Sequence, residues 1–286
     1  MSAFKKYTPK KIAWSLRKTN LKIGANDLVL DVGSGSNPHP AADVLLEKYI
    51  DITHRYEPLV ADRPTILADA CKTPFKDKAF DYIITFHVLE HIDKPELFLN
   101  ELQRIGKAGY IETPNALFER LHPYDVHVLE VMNINNELII NKKVSSKPDK
   151  YFDELNVTIK NKRWNKLFYS DPDLFHVRYF WKDQIKFRVI NPEVDADWVN
   201  HIPVRQSATE EISSKYNAID LRSYGLKLLR KIYKLRKNTK VNLSSILVCP
   251  ECHNKLSENE VEFICNKCKI KFSKIPIPDF TKYIPL

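Results

Sequence analysis

Glycine is scarce in this chain, with six among 286 residues, and no apolar run approaches the ~20 residues that a membrane-spanning helix needs. The start, Met1-Ser2-Ala3-Phe4-Lys5-Lys6, lacks the apolar centre of a signal peptide, so the cytoplasm is the expected address. Cysteine is sparse too. Of five, four fall in a paired pattern and Cys71 stands alone, which excludes a disulfide framework and suits a metal site in a reducing compartment. Cys71 reads as a small buried residue.

What is present suffices for a globular protein of one large or two smaller domains, since 43% of the residues are apolar. The net charge is +9. Much of the excess lies in Lys227, Arg230, Lys231, Lys234, Arg236, Lys237 and Lys240, with a second group at Lys160, Lys162, Arg163 and Lys166. Such runs are most often solvated helix faces, and they leave contact with nucleic acid or a membrane surface open.

The chain is organised around Leu28-Val29-Leu30-Asp31-Val32-Gly33-Ser34-Gly35, an apolar β-branched run ending in an acid and two closely spaced glycines. It predicts a buried strand feeding a ligand loop, where glycine lets the backbone turn sharply and lets a ligand lie against the main chain. The third position of the motif is Asn37 or Pro38 instead of glycine, which disfavours a phosphate ligand. Pro38 and Pro40 forbid a long helix directly after the strand.

Four stretches in order resemble the class I S-adenosylmethionine (SAM)-dependent methyltransferases, over about residues 25 to 115. They are Asp31-Val32-Gly33-Ser34-Gly35, Leu67-Ala68-Asp69-Ala70, Phe75 to Ile84, and His87-Val88-Leu89-Glu90-His91 followed by a helix and the strand Gly109-Tyr110-Ile111-Glu112. The resemblance implies an α/β fold, a Rossmann-like, doubly wound and mostly parallel sheet. It also implies SAM as cofactor, held by Asp31, Gly33, Gly35, Asp69, Ala70 and His87 and by an acid at the end of strand two. That acid is Glu47, after the better apolar run Val44-Leu45-Leu46, or alternatively Asp51.

Elsewhere the readings are coarser. Residues 9 to 20, with Ile12, Trp14 and Leu16, read as an amphipathic helix covering the cofactor pocket or sheet edge. Residues 52 to 64 are loop-like, with His54, Arg55, Asp62 and Arg63 available to a lid or substrate. A helix is expected from Lys94 to Ile105, with Leu97, Leu99, Leu102 and Ile105 as its apolar positions. Hairpin strands are expected at Val126 to Met132 and Glu137 to Lys143, joined by Asn133-Ile134-Asn135-Asn136. A second pair, Val177 to Trp181 and Gln184 to Ile190, could supply the last two antiparallel strands of the main sheet. The domain reading is a methyltransferase domain at 1–208 with a substrate insert at about 113–200, a basic connector helix at 209–244, and a zinc ribbon at 245–286.

Cys249-Pro250-Glu251-Cys252, twelve residues, then Cys265-Asn266-Lys267-Cys268 have the spacing of a tetrahedral four-cysteine zinc site, with Val261 to Ile264 as the intervening strand. The flanks Leu247-Val248 and Phe272 to Phe280 resemble the small zinc-ribbon proteins that activate tRNA and translation-factor methyltransferases. In that family the ribbon stabilises a catalytic partner, and the resemblance implies that here it would be fused to one.

Methyl transfer from a sulfonium is an in-line displacement that mainly requires positioning, and a base is needed when the acceptor is a hydroxyl. The candidates are His87, Glu90, His91, His122, Asp125 and His127. His91 is the favoured base, and His122, Asp125 and His127 are expected to line the acceptor pocket opposite it. His87-x-x-Glu90-His91 is also similar to the Glu-x-x-Glu-His of ubiquinone-biosynthesis and small-RNA 2'-O-methyltransferases, which bind a divalent metal there. His87 stands where those families have Glu. The leading expectation is O-methylation of a sugar or polar lipid precursor of a surface polysaccharide, because Gly109 to Pro114 followed by an aromatic insert resembles enzymes of that setting. The alternatives are an RNA or translation-factor methyltransferase, and a SAM-binding module without catalysis.

Overall fold

A computed structural model describes residues 14, 16–51, 57–147, 149, 151–155, 166–168, 170–201, 228, 231 and 241–285. The central strand is β1 (Val29–Val32), and every one of its side chains is buried. It lies between two parallel neighbours, β2 (Val44–Glu47) and β4 (Phe80–Phe86), with β3 (Thr65–Leu67) beyond β2 and β5 (Gly106–Pro114) beyond β4. Both faces of this sheet are covered, so the strands read as continuous apolar runs. Alternation sorts them: Leu30, Val44, Leu46 and Ile83 join one core cluster, and Val29, Leu45, Tyr82 and Ile84 join the other.

The helix after β4, α1 (Pro95–Ile105), starts with proline at its first turn and buries Phe98, Leu99, Leu102 and Ile105. Leu97, expected on that stripe, is 53% exposed, because Phe98 and not its neighbour is in phase with Leu102 and Ile105. After β5, Asn115 caps the short helix α2 (Ala116–Leu121) by accepting from the Phe118 amide.

The hairpin forms from β6 (Leu129–Ile134) and β7 (Glu137–Lys142). Its turn is the two residues Asn135 and Asn136, both at positive φ, so the loop is tighter than the four residues expected. The second expected pair separates. β8 (His176–Lys182) runs antiparallel along β5 and closes the main sheet. β9 (Phe187–Val189) leaves it and pairs parallel with β7 in a small three-stranded sheet. Asp183 at φ 63° turns the chain between them.

At the opposite edge the cysteine-rich segment continues the main sheet through β10 (Ser257–Glu258), β11 (Glu262–Cys265), β12 (Ile270–Ser273) and β13 (Asp279–Pro285). β13 meets β3 in parallel at Asp279 and Leu67, and the Leu67 amide donates to Pro278 O at 2.8 Å. A second seam runs from Lys76 N to Ile246 O and from Val248 N to Pro74 O. Leu247, Phe263, Phe272 and Phe280 share one buried cluster with Leu30 and Ile66. The expected connector helix at 209–244, apart from Leu228, Lys231 and residues 241–244, lies outside the described residues, as do Ile12, His54, Arg55, Lys160, Lys162 and Arg163.

Candidate functional site

The strand order reverses direction between β1 and β4, and ligands of such sheets bind beyond the carboxyl ends of the strands at that point. The loop leaving β1 bends at two positive-φ glycines, Gly33 at 69° and Gly35 at 59°. A Cβ on Gly33 would stand 2.5 Å from Val88 Cγ2, so this glycine lets the loops after β1 and β4 touch.

Three acids rim this crevice from neighbouring strands. Asp31 is buried in β1, and its Oδ2 accepts from the His39 amide at 2.7 Å. Glu47 ends β2, and its Oε1 accepts from both the Ser34 hydroxyl and the Gly35 amide at 2.6 Å. Asp51 is exposed beyond the strand. Asp69 follows β3, holds the Cys71 amide and pairs with Lys48 at 2.8 Å. Burial opposes its ionisation, but Lys48 and the Cys71 amide prevail and hold it below the usual value. Ala70 lies beside it, half-buried. Arg63, a candidate for substrate contact, is instead spent on the His39 and Ala42 carbonyls.

Burial pushes the Asp31 carboxyl up to about 7, with the His39 amide only partly offsetting it. The folded value lies above the unfolded one, so the folded chain keeps a proton that the unfolded chain gives up. Stability tied to this group is complete below about pH 4 and is lost as pH rises toward and through 7. Relative to Asp31→Asn, the cofactor-free wild type should lose up to ~1.4 kcal/mol per pH unit across that window, read from urea unfolding at pH 5 and pH 8. Parallel pH profiles would show that Asp31 is not the cause.

After β4 the backbone turns at His87, φ 56°, and Leu89–His91 form a short 3-10 helix. Four positions apart, His87 and His91 would share one face of a helix begun directly after β4, but the positive φ breaks that spacing and they do not. His87 lies between two buried carboxylates, Glu90 at 3.2 Å and Glu112 at 3.5 Å. Burial works against its charge, but those carboxylates raise it to about 9, making it a cation at neutral pH and not a base. Glu112 in turn takes two bonds from Arg17, at 2.8 and 2.6 Å, and one from the Tyr110 hydroxyl at 2.7 Å. Arg178 donates to that hydroxyl at 3.2 Å.

His91 faces elsewhere. Its ring meets His127 edge-on at 4.7 Å between centroids, and His127 stacks toward Tyr124, Tyr124 toward His122, and His122 on Phe118. The insert is pinned to the core here, with Val128 N donating to Glu90 O at 2.7 Å. Thus His91, His122 and His127 come together, whereas Asp125 sits exposed on the turn. His127 also bonds Glu119, 1% exposed, through Nδ1.

Sequence reasoning passed over Arg17, Glu112 and Glu119. Glu112 ends an apolar strand as Asp31 nearly does, and that signal could have found it. Arg17 lies 95 positions from its partner and carried none.

In the ribbon, one sulfur from each of Cys249, Cys252, Cys265 and Cys268 lies within 4.8 Å of the others, with pair distances of 4.0 Å and 3.5 Å. Tetrahedral thiolates at ~2.3 Å from zinc stand ~3.8 Å apart, so the cluster fits the ion. The knuckles are conformational copies: His253 and Lys269, both at positive φ, return their amides to Cys249 O and Cys265 O.

Residues 30–111 match the family described as "Methyltransferase domain", and residues 240–273 the family described as "Trm112p-like protein". Among solved structures, a complex between the Haloferax volcanii Trm112 methyltransferase activator and a methyltransferase is similar at 18% identity, over 37% of this chain and 59% of that one, with TM-score 0.28. A Pyrococcus horikoshii protein matches at 19% identity over 51% and 77% of the two chains, TM-score 0.32. A Mesorhizobium loti S-adenosylmethionine dependent methyltransferase matches at 16% over 39% and 58%, TM-score 0.31. The chain thus spans under two thirds of the length of the first of these relatives. No curated protein shows a significant match.

Proposed function

We propose that this chain, a methyltransferase domain carrying its own Trm112p-like zinc ribbon, transfers a methyl group from SAM to a hydroxyl of a small polar acceptor. The observation that carries the reading is the rim of Asp31, Glu47 and Asp69 beside the two positive-φ glycines, at the point where the strand order reverses. Glu47 would hold the ribose through the carboxylate that now bonds Ser34 and Gly35, and Asp69 with Ala70 would read the adenine. SAM supplies the methyl group on a sulfonium, already activated.

The chain's own work is positioning and proton handling. Cationic His87 is fixed by Glu90 and Glu112 at the end of β4, where it orders the loop and takes no proton. The acceptor is assigned to the space beside His91 and His127, with His122 and Asp125 on the wall built by the insert. The hydroxyl proton leaves beside the Glu90, His91 and His127 group, to the solvent that reaches the exposed edge of His91. A sugar or polar lipid precursor of a surface polysaccharide is the favoured acceptor, supported by the resemblance of Gly109 to Pro114 and the insert after it.

The match of the ribbon and the charge of +9 favour a second reading, an RNA or translation-factor methyltransferase. A salt titration separates them: RNA binding that falls steeply with salt supports the second, and no RNA binding together with methyl transfer from labelled SAM to sugar acceptors supports the first.

A further inference from the structure

Glu90, His91 and His127 bring one ligand atom each to within 4.8 Å of the others, although the third comes from an insert 36 positions downstream of the second. His91 Nδ1 lies 3.0 Å from Val126 O, and a carbonyl only accepts, so that nitrogen carries the proton. His127 Nδ1 faces the buried Glu119 carboxylate in the same way. Both rings therefore keep their lone pair on Nε2, and among the described residues no group bonds either Nε2.

Glu90 is 1% exposed and already holds His87 and the Thr113 hydroxyl, yet each oxygen retains a second lone pair. Three acceptors converge without a donor between them, an arrangement that a cation relieves. We propose that Glu90, His91 and His127 bind one first-row divalent cation, with Glu119 and Val126 O as the outer partners that orient the two imidazoles.

Two imidazoles and one carboxylate suit zinc, cobalt, iron or manganese more than calcium or magnesium. Three ligands ~2.1 Å from a shared ion stand ~3.0–3.6 Å apart, so at most ~2 Å of side-chain closure completes the set. The site is separate from the ribbon and differs from the His87, Glu90, His91 set suggested by sequence, because His87 is drawn to Glu112. His91 is exposed, which leaves the outer positions of the ion to water or an acceptor oxygen. That last role rests on the methyltransferase reading; the binding itself does not.

The test is a Co2+ titration of untagged, zinc-loaded protein without SAM. One further equivalent should bind with visible d–d bands and no sulfur-to-cobalt charge transfer, since the thiolates stay on zinc. His91→Ala and Glu90→Gln should each weaken it at least ~10-fold, and Glu119→Gln by ~10-fold, with the exposed His91→Ala variant melting as the wild type does. No second equivalent, one showing sulfur charge transfer, or one of unchanged affinity in both ligand variants overturns the proposal. Should those variants unfold, pulsed EPR of Cu2+ bound to the wild type decides it: coupling from two imidazoles is expected, and none refutes it. SAM affinity, measured separately, reports on the cofactor reading independently.

Discussion

Stripping zinc, or replacing Cys252 with serine, lowers the melting temperature of the whole chain and not of the ribbon alone. The four thiolates close a site in which every position is filled, and metal binding to such a site is folding free energy, ~10–16 kcal/mol in isolated zinc-finger peptides. Here the ribbon is not a separate bead. β13 supplies the outer backbone partner of β3, Lys76 and Val248 form a second seam, and Phe263, Phe272 and Phe280 lie in the same buried cluster as Ile66. Losing the ribbon exposes the edge of β3 and part of that cluster. A loss of ~3 kcal/mol or more is expected, in one cooperative transition, with hydrogen exchange rising in β2 and β3. A methyltransferase core that melts at its original temperature in a second, separate transition would contradict this.

Arg17→Ala is expected to have the second large effect. Glu112 is fully buried, and two of its hydrogen bonds come from one guanidinium whose own exposure is 12%. Burial resists the charge, but His87 and Arg17 hold the Glu112 carboxyl well below the ordinary range. Its folded value lies below its unfolded one, so the stability it contributes is present above about pH 4 and is lost as pH falls. Removing Arg17 leaves a buried carboxylate with weaker compensation, at a cost of ~3 kcal/mol by urea unfolding at pH 7. Arg17→Lys should recover only part of this, because an ammonium cannot make the paired bonds. Adding Glu112→Gln to Arg17→Ala should recover most of it, since the amide oxygen keeps the Tyr110 bond without a charge to bury. A double variant no more stable than Arg17→Ala would show that the loss comes from the Trp14 and Arg17 packing.

The parts of the fold legible in the sequence are those set by local pattern. The apolar run before Gly33 and the Val44 to Leu46 run carried their strands, and two cysteine pairs carried the zinc cluster. What escaped is set by contacts between distant segments. Nothing in Gln184 to Ile190 says that β9 will pair with β7 and not with β8, because the same alternating pattern serves either sheet. Likewise His87 and His91 look equivalent as i and i+4, and only the positive φ at His87, enforced by carboxylates 3 and 25 positions away, sends them to different neighbours. The ribbon was readable as a module, but its docking on β3 depends on Pro278 meeting Leu67, which leaves no local trace.

The central claim is a SAM site at the ends of β1, β2 and β3, and isothermal calorimetry tests it most directly. The account predicts one SAM per chain in the wild type, an affinity loss of ~10- to 100-fold in Glu47→Ala from lost charged hydrogen bonds, and no change in Asp51→Ala. A wild-type chain that binds no SAM, or a Glu47→Ala variant that is folded and binds it undiminished, would contradict it.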